Sequence, residues 1–332
     1  MKYITLFETT AAYNAATLDL PNVSLVEETM SVGYKPYIPK LVCKYNITDT
    51  SNPTKLISGY EQNVFKSMEI DGVMLNELTT TYTFGTVGVH TVKYELYDET
   101  KLGNNAPVFD NSILIECIIP NSVTSIGSYA FYNCNGLTSV TIGNGVTSIS
   151  NNAFMYCWNL TSVTIPDSVT VIDNYAFQGC TGLTNVIIGS GVTSIGNNAF
   201  NGCNSLTNVT IPNTVTSIGV HAFESCTSLT SVTIPDNVTS IGNNAFQYCS
   251  GLTSVTIGNS VTSIGTEAFY NCNNLISIVS NAITAPTISN DTFYGIKTGG
   301  TLTVPNGSTG YDTWMGTGNY YLGKYNWTKV EQ

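Results

Sequence analysis

The chain has 332 residues, 42% of them hydrophobic and only 10% charged, and its formal net charge is −11. All eleven of its cations are lysines, and none lies between Lys101 and Lys297. A surface with no cations across that span has nothing to neutralise phosphates, which excludes nucleic-acid binding, a phosphate clamp and an anionic membrane surface as its business.

Residues 1–40 carry no charged-then-apolar leader and no 18-residue apolar run, so neither a signal peptide nor a transmembrane helix is expected there. Their opening, YITLFETT, followed by LPNVSLVEE and VGY, resembles the N-termini of proteins encoded by gut Bacteroides phages and prophages, where such openings precede assorted β-rich domains. That resemblance runs from Tyr3 to Tyr34. It implies an attachment segment that contacts other virion proteins, on a particle made in the host cytoplasm and released by lysis.

Residues 41–98 follow another grammar. LVCKYNI, TKLIS, SMEIDG, TTTYTF and VHTVKYELYD are short alternating runs separated by turn-formers, which predicts a small Ig-like β-sandwich. Its last strand runs directly into the first half-repeat of the next region, so the module doubles as an N-terminal cap. His90 sits in that strand, where a structural or exposed role is expected.

From residue 99 to 280 the chain repeats itself. Cys134, Cys157, Cys180, Cys203, Cys226, Cys249 and Cys272 are spaced 23 residues apart, and each follows an Ala-Phe pair at fixed distance, from Phe131 to Phe269. Columns of Leu (137 to 275), Val (140 to 255), Ile (142 to 257), Val (123 to 261) and Ile (126 to 264) keep the same period. L-T-x-V-x-I alternates apolar and polar residues, which is strand periodicity, and Pro or Gly ends it. V-T-x-I-G reads as a second short extended piece, and N-N-A-F-x-x-C as one short helical turn. One unit cannot fold alone, since each apolar side chain contributes roughly 2 kcal/mol on burial against about 1.5 kcal/mol of entropy for every ordered residue. Stacked copies share a core and pair their strands, giving a solenoid with a parallel sheet.

A degenerate repeat leads this array. TKLGNNAPVF imitates TSIGNNAF, and Leu114 and Ile119 precede Leu137 and Ile142 by one period, with Cys117 in the Val140 column. Past residue 280 the cysteine is lost, TLTVP supplies a last strand, and Trp314, Tyr320, Tyr321, Tyr325 and Trp327 offer bulk to close the open end as a C-terminal cap over 281–332.

The pattern C-x-x-L-T-x-V-x-I-P-x-x-V-T-x-I-G-x-x-A-F resembles the BspA-like, Treponema-type leucine-rich repeat. The resemblance implies a mainly β, curved solenoid whose x-V-x-I strands line a concave sheet and whose A-F turns lie toward the convex side. It also implies a bacterial surface protein concerned with adhesion and protein recognition.

The titratable groups point away from catalysis. Seven cysteines occupy one inward column with no C-x-x-C and no nearby histidine, so they are expected to be structural, with no metal and no cofactor. His221, Glu224 and Ser225 share one short turn without an oxyanion-hole motif. Asp167, Asp173, Asp236 and Glu267 are single and scattered, which leaves no carboxylate pair. The expectation is a protein that is not an enzyme.

Recognition must then lie on surfaces. The outward strand columns, Ser139 to Ser254 and Thr141 to Thr256, are nearly constant and carry little information. Variation collects around the A-F turn, where Tyr129, Tyr132, Tyr156, Trp158, Tyr175, Tyr248 and Tyr270 form the candidate ligand-binding set, with the alternative that they only cover neighbouring turns. The expected function is a non-enzymatic recognition and structural module: a virion-surface decoration or fibre-type component, or alternatively a bacterial cell-surface adhesin. Its expected partner is a protein or glycan on a cell or mucosal surface. Near-identical edges also leave room for a symmetric homo-oligomer.

Overall fold

In each repeat the burial of the L-T-x-V-x-I strand alternates in step with its sequence: Ser162–Ile165 reads exposed, buried, exposed, buried. Side chains of successive strand residues point to opposite faces, so one face enters the core and the other meets water. The computed structural model describes residues 40–58, 64–98, 100–103, 105–109, 112–289, 291–318 and 321–332. Apart from Lys40, the expected N-terminal attachment segment lies outside those residues, as does Tyr320 of the expected cap.

Among the described residues, ten strands of this long class stack in parallel, from Leu114–Ile118 to Thr328–Glu331. Register is set by the period, with Ser162 opposite Asn185, Val163 opposite Val186 and Ile165 opposite Ile188, so each column stacks on itself. The stack lapses once, between Asn208–Thr210 and Ser231–Ile234, where the Thr230 N–H reaches the Thr207 carbonyl at 3.3 Å. Among the described residues, a second parallel sheet of nine two-residue strands, from Lys101–Leu102 to Thr287–Ile288, runs unbroken.

The expected helical turn at N-N-A-F-x-x-C is not a helix. Ala130, Tyr132 and Cys134 donate their N–H groups to Gly127, Tyr129 and Phe131, three residues back, whereas Tyr129, Phe131 and Asn133 donate to Asn151, Ala153 and Met155 of the next coil. Alternate amides therefore serve the turn and the stack. A helix would have kept all of them within the coil, leaving this edge without a ladder. The geometry requires two left-handed residues per turn, such as Asn152 (φ 59°) and Tyr156 (φ 64°). Among the described residues a 3-10 turn forms at Leu322–Tyr325.

The core is a column of rings. Phe131, Phe154, Phe177, Phe200, Phe223, Phe246, Phe269 and Phe293 stack at 4.9–5.8 Å with planes within 9° of one another. This spacing is close to the ~4.8 Å between paired strands, so offset stacking and strand pairing are satisfied together. Phe109 continues the column at one end (5.3 Å from Phe131) and Trp314 closes it at the other (5.4 Å from Phe293). Trp314 is fully buried and donates its indole N–H to Pro286 O at 3.0 Å, while Trp327 donates to Lys297 O at 2.8 Å.

The Ig-like sandwich expected over 41–98 is not confirmed. Leu41–Ile47, Phe65–Ile70 and Gly88–Leu96 pair antiparallel, and Leu41–Ile47 also pairs antiparallel with Leu114–Ile118, so these strands extend the solenoid's own sheet. In this region Phe65–Ile70 also pairs antiparallel with Val73–Met74, and Thr54–Lys55 forms a two-residue ribbon with Thr81–Tyr82. The reason is the source of the core: Phe65 and Tyr94 pack their rings on Phe109, at 5.9 and 5.8 Å, and so share the repeat core in place of a second full sheet.

His90 bridges two turns of this region, with Nδ1 2.6 Å from Asp71 Oδ2 and Nε2 2.9 Å from Thr86 O. Burial opposes its charge, but the Asp71 carboxylate and the Thr86 carbonyl outweigh burial and hold its pKa above the ordinary 6.5. A histidine whose folded pKa is raised contributes stability that is complete below its unfolded pKa and is lost as pH rises through the folded one. His90→Gln is therefore expected to flatten the pH dependence of the melting temperature between about pH 6 and 8, relative to the parent chain. An unchanged slope would exclude this pair as its origin. Phe200→Ala, in the middle of the ring column, is expected to reduce the unfolding free energy by about 3–5 kcal/mol in urea titration. A loss under about 1 kcal/mol would show that the column is not the main support.

Candidate functional site

Most polar side chains of the repeats are already committed to the stack. The L-T threonines donate one coil back, as Thr161 to Thr138 O (3.2 Å) and Thr253 to Thr230 O (2.9 Å). The V-T threonines do the same, as Thr147 to Thr124 O (3.0 Å) and Thr262 to Thr239 O (3.1 Å). Asp167 and Asp236 accept the backbone N–H of Ser190 and Asn259 in the following coil, which gives two of the scattered acids a turn-capping role. The outward Ser/Asn and Thr columns of the long strands form a largely exposed polar face, interrupted by Ile187.

The seven ladder cysteines, Cys134, Cys157, Cys180, Cys203, Cys226, Cys249 and Cys272, are fully buried. Each thiol donates to a phenylalanine carbonyl in the preceding coil, for example Cys203 to Phe177 O at 3.3 Å and Cys249 to Phe223 O at 3.1 Å. Burial pushes the thiols of Cys157, Cys180, Cys203, Cys226, Cys249 and Cys272 up, those of Cys180 and Cys249 to about 12, so thiolate chemistry is suppressed there. Among the described residues no group of three His, Cys, Asp or Glu could hold a metal. His221 Nδ1 lies 2.7 Å from Glu224 Oε2 as a close ionic contact without hydrogen-bond geometry, and Glu224 Oε2 accepts from Asn201 Nδ2 at 2.7 Å.

The candidate aromatics fall into two groups and one isolated member. Tyr129, Tyr132, Tyr156 and Trp158 run edge to face, at 5.6, 5.9 and 6.5 Å, across two adjacent coils. Trp158 is 48% exposed, whereas the Tyr156 ring lies over Gly179 of the next coil, where a Cβ would fall 2.5 Å from the ring. Tyr156 thus covers its neighbour while presenting an edge. Farther along, Tyr248 meets Tyr270 at 5.8 Å and Tyr270 stacks on Tyr294 at 5.1 Å. Partial desolvation, then Tyr248, Tyr294, Glu267 and Asp291, push the Tyr270 phenol above the usual tyrosine range. Tyr175 stands between the groups, 39% exposed.

Sequence reasoning missed Tyr294 and the groups beside it. Lys324 Nζ sits 5.7 Å from the ring centres of both Tyr294 and Tyr325, and the Tyr325 hydroxyl accepts the Gly295 N–H at 2.9 Å. The signal was present: D-T-F-Y at 291–294 repeats E-A-F-Y at 267–270, but the coil is one residue longer and lacks the cysteine that marks the column.

The backbone under these residues is unusual. At the two left-handed positions of each turn, many coils use Asn or Gly, as Asn133, Asn152, Gly179, Asn198, Gly202, Asn244, Asn271 and Gly295. Tyr129 (φ 63°), Tyr156 (φ 64°), Tyr175 (φ 59°) and Tyr248 (φ 59°) occupy the same positions, as do His221 and Glu267. For a residue other than Gly or Asn this conformation costs on the order of 1 kcal/mol, so these turns carry strain that sibling turns avoid. Tyr132, Trp158 and Tyr270 are not among them.

A profile of the BspA type leucine rich repeat region matches residues 100–230 and 193–315, in six copies, which together span more than half of the chain. Among solved structures, a leucine rich repeat protein of T. pallidum is 30% identical over 54% of this chain and 81% of that one, with a TM-score of 0.45. A leucine rich cell surface protein from Faecalibacterium prausnitzii is 24% identical over 85% and 96%, with a TM-score of 0.37. A leucine-rich repeat protein from Bacteroides ovatus is 19% identical over 75% and 90%, with a TM-score of 0.33. No curated protein matches the chain. On the repeat match, the chain belongs to the BspA type leucine rich repeat family.

Proposed function

We propose that this chain is a non-enzymatic recognition and adhesion protein, displayed at a surface, that binds through the aromatic edge of its turns. The observation that carries this reading is the set of tyrosines at left-handed positions. Retention of strained residues where the same sequence elsewhere uses Asn or Gly is the signature of a side chain kept for a purpose other than stability. Exposed Tyr and Trp on a rigid scaffold are efficient anchors, because large amphipathic rings bury much area at little entropic cost. The ligand class that suits them is an uncharged or weakly cationic protein or glycan surface, since the repeats present acids, hydroxyls and amides but no lysine.

Family membership supports display at a bacterial cell surface. The narrower reading, a virion decoration or fibre component, rests on the resemblance of residues 1–40 alone. Proteomics of shaved cell surfaces and of washed phage particles from the source culture separates the two. Recovery in the cell-surface fraction is expected, and recovery in particles alone would replace the adhesin with the virion component.

For the binding edge, the triple variant Tyr129→Asn, Tyr175→Asn, Tyr248→Asn relieves three strained positions. We expect its melting temperature to equal or exceed the parent's, with the gain on the order of 1 kcal/mol per site. We also expect adhesion of protein-coated beads to mucus-secreting epithelial monolayers to fall severalfold. A lower melt with unchanged adhesion would mean that these rings are packing and not anchors.

A further inference from the structure

Seven of the nine cysteines are accounted for by the ladder, and the remaining two meet each other. Cys43 lies in Leu41–Ile47 and Cys117 in Leu114–Ile118, and the antiparallel register sets them directly opposite, flanked by Val42 with Ile118 and Lys44 with Glu116. Their sulfurs are 3.0 Å apart, and neither residue is exposed to solvent. Beside them Lys44 Nζ is 2.7 Å from Glu116 Oε2, an ion pair that holds the same register.

Cys117 is also an exception within its column. The equivalent positions in the following coils are Val140, Val163, Val186, Val209, Val232 and Val255. Cysteine replaces valine only in the coil that lies against the N-terminal antiparallel strand, and that strand answers with a cysteine of its own.

We infer that Cys43 and Cys117 are the site of a specific disulfide, formed when the chain folds in contact with a disulfide oxidant, that staples the N-terminal strands to the first coil. Directly opposed residues of an antiparallel pair have Cβ atoms about 4.5–5.5 Å apart, next to the ~3.5–4.5 Å of a disulfide, so a small shift of the two strands suffices. The ladder thiols are differently placed, because each is directed at a backbone carbonyl and not at another sulfur. The oxidant is a small-molecule or protein disulfide. One thiolate attacks it to give a mixed disulfide, and the second thiolate displaces the remaining half. Two S–H bonds break, one S–S bond forms, and the oxidant takes two electrons and two protons to leave as two thiols.

Timing follows from burial. Desolvation, reinforced by the neighbouring Cys117, raises the Cys43 thiol well above its ordinary range, so Cys43 supplies little thiolate once folded, and burial of both residues keeps reagents out. The bond forms as the sheet closes and is protected afterwards. Because it joins residues 74 positions apart, it restricts the unfolded chain strongly. The cross-link thereby records whether the protein folded in an oxidising or a reducing compartment.

The test is to refold the full chain from denaturant in mixed oxidised and reduced glutathione, quench with acid, alkylate under denaturing conditions and map peptides without reduction. The expected result is one cross-linked peptide pair containing Cys43 and Cys117, seven alkylated ladder cysteines, and a higher urea midpoint than the reduced protein. Cys117→Val, which restores the column residue, should fold, give no cross-link and lose the redox dependence of the midpoint. Should refolding be inefficient, the same map is made on protein exported to a bacterial periplasm and alkylated at harvest. Nine alkylated cysteines in natively folded oxidised material, or cross-links within the ladder, would overturn the assignment.

Discussion

The structure depends on one constraint: the polar backbone of each coil is satisfied by the coil beside it. Three sets of amides run between coils, those of the long strands, those of the two-residue strands and those of the A-F turn. A backbone group buried without a partner costs on the order of a whole hydrogen bond, so a coil that slipped by one residue would forfeit many at once. The 23-residue period is the sequence's way of keeping that register. Columns of Phe, Leu, Val, Ile and Cys follow from it, because equal spacing places equal side chains above one another. The two threonine columns add hydroxyl-to-carbonyl bonds along the same direction.

This constraint also decides where the molecule is free to vary. Strand positions face either the core or a ladder neighbour, and the threonine, aspartate and asparagine side chains near the turns are used as caps. The left-handed positions of the A-F turn are different. The backbone there asks for Asn or Gly, but the side chains stay out of the buried core and pack only on neighbours along the turn edge, as Tyr156 does on Gly179. Chemical novelty placed at these positions is tolerated at a modest energetic cost, and it is there that Tyr129, Tyr156, Tyr175, Tyr248, His221 and Glu267 are found. The solenoid thus separates a uniform supporting interior from a row of individually adjustable turns.

Much of this is legible in the sequence because a repeat multiplies every weak signal. Alternation over four residues is ambiguous once and decisive when it recurs at constant spacing, so the strands, the inward columns and the closing role of Trp314 can be read directly. The A-F turn reads as helical because Ala, Phe and Cys at i, i+1 and i+4 fit one helical turn locally. Only the next coil reveals that half of its amides point outward. The N-terminal strands read as a sandwich because alternation identifies strands but not their partners. Pairing of Leu41–Ile47 with Leu114–Ile118 joins strands far apart in the chain, and no local pattern encodes it. The opposition of Cys43 and Cys117 is hidden for the same reason. Tyr294 escapes because a one-residue insertion breaks the period just where the column continues.

Recognition by the aromatic turn edge, and not by the polar strand face, is tested most directly by photo-crosslinking. A photoreactive phenylalanine analogue is placed singly at Tyr175 and Tyr248 on the turn edge, and at Thr164 and Thr233 on the strand face. Each protein is irradiated on mucus-secreting epithelial monolayers. Covalent capture of a surface component is expected from the two turn positions, with little or none from the two strand positions. Capture from the strand positions with none from the turns would contradict the turn-edge reading, and would transfer recognition to the hydroxyl face.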